Sequence, residues 1–235
     1  FAIIDETLVK LIAETTAANE LKLNAILASN QDERAQKAKD QAKEIREMTK
    51  KTLAYLDELK KKMSTEADGA AIEGEELVLN TNRSEELMLD HQKPEEGIRY
   101  EKELNDYVNN LNKIMALKTP FAKLTKKAED YEQFKNNTNQ LDKTFLQFSF
   151  ELTPTMGAIA TVSQMQTEIL EYERAALDTL FARADASTIK FNKVVPMVRA
   201  ESNTLVAGQE YSADLFIAAA SDEEPEMFKD GSPVK

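Results

Sequence analysis

Apolar residues recur three and four positions apart over residues 1–183 and alternate with polar ones further on. The first pattern is that of amphipathic helices, the second that of strands with one buried face. The longest helical stretch runs from Thr153 to Arg183, TPTMGAIATVSQMQTEILEYERAALDTLFAR. Thr153 is placed to act as N-cap and Pro154 as the first helical residue, where a missing N–H costs nothing. No proline after Pro154 and no glycine after Gly157 interrupts it. At about 1.5 Å per residue such a helix is roughly 45 Å long. Gly157, Ala158, Ala160 and Ser163 keep its first half small, so other backbones can approach. Leu170, Leu177 and Leu180 form a stripe on its second half, with Glu168, Glu171 and Arg174 elsewhere. The pattern predicts that the earlier helices pack on this one and that β structure follows its end.

Three more long helices are predicted. The first covers residues 1–28, with Phe1, Ile4, Leu8, Leu11 and Ala18 at helical spacing and Leu21, Ala25 and Ala28 extending the apolar face. Its opening, Phe1-Ala2-Ile3-Ile4, fits either a buried helix start or the continuation of a helix from upstream, a membrane span included. The second covers about 30–64, opened by the capping pattern Ser29-Asn30-Gln31-Asp32. Ala38, Ala42, Ile45, Thr49, Thr52, Leu56, Leu59 and Met63 alternate four and three apart, a heptad seam that faces either the same chain or a second copy. Glu33–Lys37, Glu47–Lys51, Asp57–Lys61 and Glu58–Lys62 place acid before base at the favourable spacing on its outer face. Lys60-Lys61-Lys62 reads as a solvated last turn that complements the helix dipole. The third helix covers about 94–118, led by Pro94, Glu95 and Glu96, with Leu104, Val108, Leu111 and Met115 as its stripe, Ile114 and Leu117 widening it, and Thr119-Pro120 ending it.

The connecting segments are less regular. Gly69 and Gly74 punctuate residues 65–93, where Glu75 to Leu79 reads as a short strand or a turn. Phe121 to Phe134 reads as a shorter helix, and Asn136 to Asn139 as a turn. Phe145, Phe148 and Phe150 are expected to close the end of a bundle rather than to form an exposed patch. Beyond Arg183, Lys190 to Arg199 is β-rich with Pro196 at an edge or bulge, Ser202-Asn203-Thr204 turns, Leu205 to Ala207 leads into Gly208, and Tyr211 to Ala219 alternates as a strand. That is too little for a whole sandwich. The expected fold is mainly α: an elongated up-down bundle of long helices over 1–184, then the truncated start of a small all-β, Ig-like sandwich over 185–235.

Composition narrows the chemistry. The net charge is −12 and the sequence pI about 4.8, which argues against nucleic acid as a partner because phosphate contacts need cations. With no cysteine, there is no thiol nucleophile, disulfide or thiolate metal site. His91 is the sole histidine, better read as a surface loop residue than as a ligand or pH switch. Asp222 to Glu226 lacks the spacing of a calcium loop. Asn82-Arg83-Ser84 and Asn136-Asn137-Thr138 match the glycosylation pattern, which is common by chance. No phosphate-binding glycine loop, nucleophile elbow or HExxH motif occurs. The chain is therefore expected to be no enzyme, with no catalytic, cofactor-binding or metal residue and no cofactor.

The order of these parts, with ATVSQMQTEILEYER and AGQEYSA inside Ile159 to Arg174 and Val206 to Ala220, resembles the GldM (PorM) family of gliding-motility and type IX secretion proteins. The resemblance implies a homodimeric periplasmic protein held in the inner membrane by one N-terminal transmembrane helix absent from this sequence. It implies a GldL-like membrane partner, a GldK/GldN-like ring engaged by distal domains, and a motor driven by proton-motive force. On that basis this chain is a stiff shaft. The competing class is the ligand-binding helical domain of a membrane sensor, which would turn an arginine such as Arg99, Arg174 or Arg183 into a pocket. A cytoplasmic coiled-coil scaffold fits the trailing β segment less well.

Overall fold

The computed structural model describes residues 2–29, 33–65, 70–72, 74–134, 136–185, 193–200, 213–220, 227–229 and 232–234. The chain divides into two compact units, Phe1–Asp185 and Ala186–Lys235. The first is mainly helical. Its long helices are α1 (Ala2–Leu27), α2 (Glu33–Met63), α5 (Glu95–Met115) and α8 (Thr155–Asp185). Short helices α3 (Gly74–Leu79), α4 (Asn82–Met88), α6 (Thr138–Leu141) and α7 (Phe145–Phe150) lie in the connections.

α8 is the element on which α1 and α2 pack, as its sequence predicts. Ala158, Leu170, Leu177 and Leu180 are wholly buried along it. The α2 seam is buried within the chain itself: Ala42, Ile45, Thr49, Leu56, Leu59 and Met63 are fully covered. At about 1.5–3 kcal/mol for each large apolar side chain removed from water, this seam is a major source of bundle stability. Leu104, Val108, Leu111 and Met115 of α5 join the same core, together with Tyr100 and Tyr107.

The helix directions differ from the expected up-down order. Asp5 meets Ser163 and Asn19 meets Glu173, so α1 and α8 run the same way. Asp57 meets Gln166 and Arg46 meets Glu173, so α2 runs against α8. Tyr55 reaches Glu96, Thr49 meets Tyr107 and Gln41 reaches the Ile114 carbonyl, so α5 runs against α2. The order is therefore up, down, up, up. The segment between α5 and α8 carries the chain back to the starting end. There Phe121 to Phe134 is not the helix its pattern suggests: only the 3-10 turns Ala128–Asp130 and Glu132–Phe134 form. Asn112 instead holds Phe121 through its side-chain amide, accepting from the backbone N–H and donating to the carbonyl. α5 ends at Met115, ahead of Thr119-Pro120, because Ala116 takes a left-handed conformation (φ 46°) and donates its N–H back to Asn112.

Several termini also depart from expectation. Thr153 does not cap α8; its hydroxyl donates to the Ser149 and Glu151 carbonyls. The start of α8 is held from a distance, where the Thr155 N–H and hydroxyl both donate to the Asn80 carbonyl at 2.8 Å. The Ser29 hydroxyl donates back to Ile26 at the end of α1; Asn30, Gln31 and Asp32 lie outside the described residues. The stretch from Gly74 to Leu79 is a helix rather than a strand or turn. Gly97 allows α4 and α5 to touch, since a Cβ there would stand 2.2 Å from the Met88 carbonyl oxygen. Phe145 and Phe150 pack on Tyr100, and Phe148 on Tyr131 and Phe134, so the phenylalanines do close an end of the bundle.

In the second unit β1 (Lys193–Ala200) pairs antiparallel with β2 (Ala213–Ala220), and β3 (Met227–Lys229) with β4 (Ser232–Val234). Pro196 stands opposite Ile217 in unbroken register, which a two-stranded sheet tolerates because both strands are edges. The expected turn at 202–204, the stretch from Leu205 to Gly208 and the acidic run at 222–226 lie outside the described residues.

Candidate functional site

Most buried polar groups on the facing sides of α1, α2, α5 and α8 are joined in pairs across the helices. The densest cluster surrounds Glu173, which has no exposed surface. Its position follows from spacing: Ile169, Leu170, Ala176 and Leu177 are buried three or four residues away, so Glu173 faces inward with them. Arg46 Nη1 donates to both Glu173 oxygens at 3.2 and 3.0 Å. Arg46 Nη2 reaches Glu20 Oε2 at 2.5 Å. Asn19 Nδ2 donates to Glu173 Oε2 at 2.8 Å and to the Leu170 carbonyl at 3.0 Å. One carboxylate thus joins α1, α2 and α8. Burial pushes the Glu173 carboxyl above the usual range, and the bonds from Asn19 and Arg46 pull it back.

Further ties continue along the bundle. Tyr107 of α5 shares a 3.1 Å bond with Thr49 of α2 and donates to the Ile169 carbonyl of α8. Burial drives the Tyr107 hydroxyl well above the ordinary tyrosine range. Gln166 donates to Asp57 at 2.8 Å, the Ser163 hydroxyl to Asp5 at 2.6 Å, and Lys60 to Ser163 at 3.4 Å. Lys22 pairs with Asp178. The Tyr100 hydroxyl, wholly buried, has no hydrogen-bond partner among the described residues, and burial raises it likewise.

Chemically, the cluster is a set of helix-to-helix ties. Each Glu173 oxygen is already engaged, and the paired guanidinium is 5% exposed. Among the described residues no group of three or more His, Asp or Glu side chains could hold a metal ion, and no helix is long and apolar enough to cross a membrane.

The arginines singled out by sequence do not converge. Arg99 stacks on the Tyr55 ring at 4.4 Å, Arg174 lies 3.7 Å from Glu171, and Arg183 donates to the Met115 carbonyl. His91 is exposed. Lys61 is exposed, while Lys60 reaches Ser163 and Lys62 crosses to Glu96 at 2.5 Å, so the lysine run is partly used for tying helices. Along α2, Glu47 and Asp57 pair with Lys50 and Lys60, three residues on, rather than with the lysines four residues on. The sequence reading missed Asn19, Arg46 and Glu173. Only Glu173 carried a positional signal, a charged residue with Ile169, Leu170, Ala176 and Leu177 three and four residues away; Asn19 and Arg46 have Thr15, Thr16 and Lys22, or Lys43, Thr49 and Lys50, at those spacings and carried none.

α1 shows the reverse. Its inner face buries Thr15, Asn19, Leu23 and Ile26. Its predicted apolar face points outward: Ile4 is 54% exposed and Leu21 73% exposed, and Leu11 is exposed as well.

Fold and polar core together define a long-helix bundle protein whose inner charges are spent on holding helices in register, followed by a β segment. Residues 1–183 match the family model of the GldM N-terminal domain, and residues 185–235 that of the GldM second domain. The chain belongs to the GldM family, a component of gliding motility and type IX secretion in the cell envelope. No curated protein is matched.

Proposed function

We propose that this chain is a non-enzymatic, periplasmic shaft of an inner-membrane motor, passing proton-motive-force-driven motion to the type IX secretion and gliding machinery. The observation that carries the reading is the row of buried ties from α8 to α1, α2 and α5. A helix that slides or turns within this bundle must break several desolvated polar pairs at once, and unpaired buried charge is costly. Such a bundle transmits force rather than absorbing it. Membership in the GldM family supplies the machinery to which that property applies. In this reading the anchor is a transmembrane helix outside this sequence with a GldL-like partner. Distal domains meet a GldK/GldN-like ring, and β1 to β4 belong to an Ig-like sandwich.

The shaft works as a homodimer. Because the α2 seam is spent inside the chain, the dimer contact falls to the outward face of α1, where Ile4, Leu11 and Leu21 are exposed. Light scattering over a range of concentrations tests this. The expected species is near twice the 26.4 kDa chain mass; a monomer at every concentration counts against a side-by-side pair formed by this segment.

A further inference from the structure

We propose that the groove between α4, α5 and α7 is a docking site for a partner-protein segment that places an apolar side chain beside a lysine or arginine. The groove encloses about 330 Å³. Met88, Leu89, Pro94, Ile98 and Leu146 form its walls. Ile98 is 58% exposed although it sits on a well-packed helix. The approach of α4 to α5 at Gly97 shapes the groove, as any larger residue there would collide with the Met88 carbonyl.

The second observation is Leu152, at the corner between α7 and α8. Its φ of 53° is in the left-handed region, unfavourable for a branched side chain. That backbone is held by its N–H, which donates to the Glu85 carboxylate at the groove rim. The strain gains no burial, since the Leu152 side chain is 76% exposed. A strained residue that displays an apolar side chain beside an apolar groove fits a contact completed by another molecule.

Charge selects the occupant. The ionisable groups lining the groove are Glu85, Asp90, Glu151 and His91, with no lysine or arginine among them. Glu151 is paired with Lys143 at 2.8 Å, whereas Glu85 and Asp90 have no ion-pair partner among the described residues. Arg83 and Lys93 line a separate hollow with Asp90, Glu86, Glu95 and Glu96. The rim thus favours a cationic neighbour to the inserted apolar side chain. A second copy of this chain, at net charge −12, matches it poorly, as do nucleic acid and anionic lipid. This site is independent of the outward face of α1 and of the shaft reading.

The test uses the whole chain, labelled for NMR, and a short peptide of alternating lysine and leucine. Binding is expected to shift resonances at 85–98 and 144–152, and to weaken as salt is raised. A glutamate–leucine peptide and a lysine–glycine peptide should each bind about tenfold more weakly or worse. Ile98→Asp should abolish the shifts without unfolding the chain, because Ile98 is exposed. Leu152→Gly, which keeps the left-handed backbone at no steric cost, should weaken binding and preserve the fold. Equal binding of the lysine–glycine peptide would reduce the effect to general acidity and overturn the proposal. So would equal binding of the glutamate–leucine peptide, shifts scattered over the surface, or no shifts at all. Ile98-dependent binding to phosphatidylglycerol vesicles, or Ile98-dependent self-association, would replace the proposed partner with a membrane or a second copy.

Discussion

A buried charge is tolerable where its partners are built in, and Glu173 is the residue on which this can be measured. Arg46→Ala takes away the carboxylate's cationic partner and is expected to cost about 3–5 kcal/mol at neutral pH, read from denaturant unfolding. The joint replacement Arg46→Met with Glu173→Leu should cost less than Arg46→Ala, since an apolar pair carries no desolvation debt. The pH dependence has a definite sign. A carboxyl whose folded value is raised contributes stability that is fully present below its unfolded value, about 4.3, and is lost as the pH rises through the folded value. Wild type should therefore lose stability relative to Glu173→Gln as the pH is raised from about 4 towards neutrality. Tyr100 poses the opposite case. Its hydroxyl is buried without a partner among the described residues, so Tyr100→Phe should be neutral or stabilising, by about 1 kcal/mol. A clear loss of stability would show that the hydroxyl is satisfied in solution.

At the scale of elements, periodicity recovered the long helices because each repeats its pattern over many turns. α2 and α8 run close to their expected spans, and the α2 heptad residues are all buried. Short elements were less legible. Glu75 to Leu79 is helical, and Phe121 to Phe134 is irregular with two 3-10 turns, because in such short stretches long-range bonds outweigh intrinsic preference. The Thr155–Asn80 and Asn112–Phe121 bonds have no local sequence signature. Gly97 was also unmarked by its neighbours in sequence. Gly97→Ala should force α4 away from α5 and destabilise the first unit by about 1–3 kcal/mol, seen as a lower unfolding midpoint and faster amide exchange in α4.

At the scale of the whole molecule, the proposed homodimer through α1 is open to a direct test. Leu21 is 73% exposed, so Leu21→Glu should leave the monomer fold intact by circular dichroism. In sedimentation or light scattering it should shift the dimer towards monomer by about tenfold or more in dissociation constant. A substitution on the α2 seam, such as Leu56→Ala, should instead lower stability by about 2–5 kcal/mol without a specific effect on association. If the two outcomes were exchanged, α2 rather than α1 would be the interface.

The sequence by itself determined that the chain is mainly helical, which stretches form the long helices, that the α2 seam and the leucines of α8 are core, and that the family resemblance is to GldM. Those properties are local or repeat along the chain, so periodicity and order suffice to reveal them. Tertiary structure alone decided that α8 runs parallel to α5, that the inner face of α1 is its more polar one, and that Arg46, Glu173 and Asn19 form a single cluster. These depend on pairings such as Asn19 with Glu173, 154 residues apart. An apolar stripe states that a face prefers to leave water, but the choice of what covers it is made by packing against residues far along the chain.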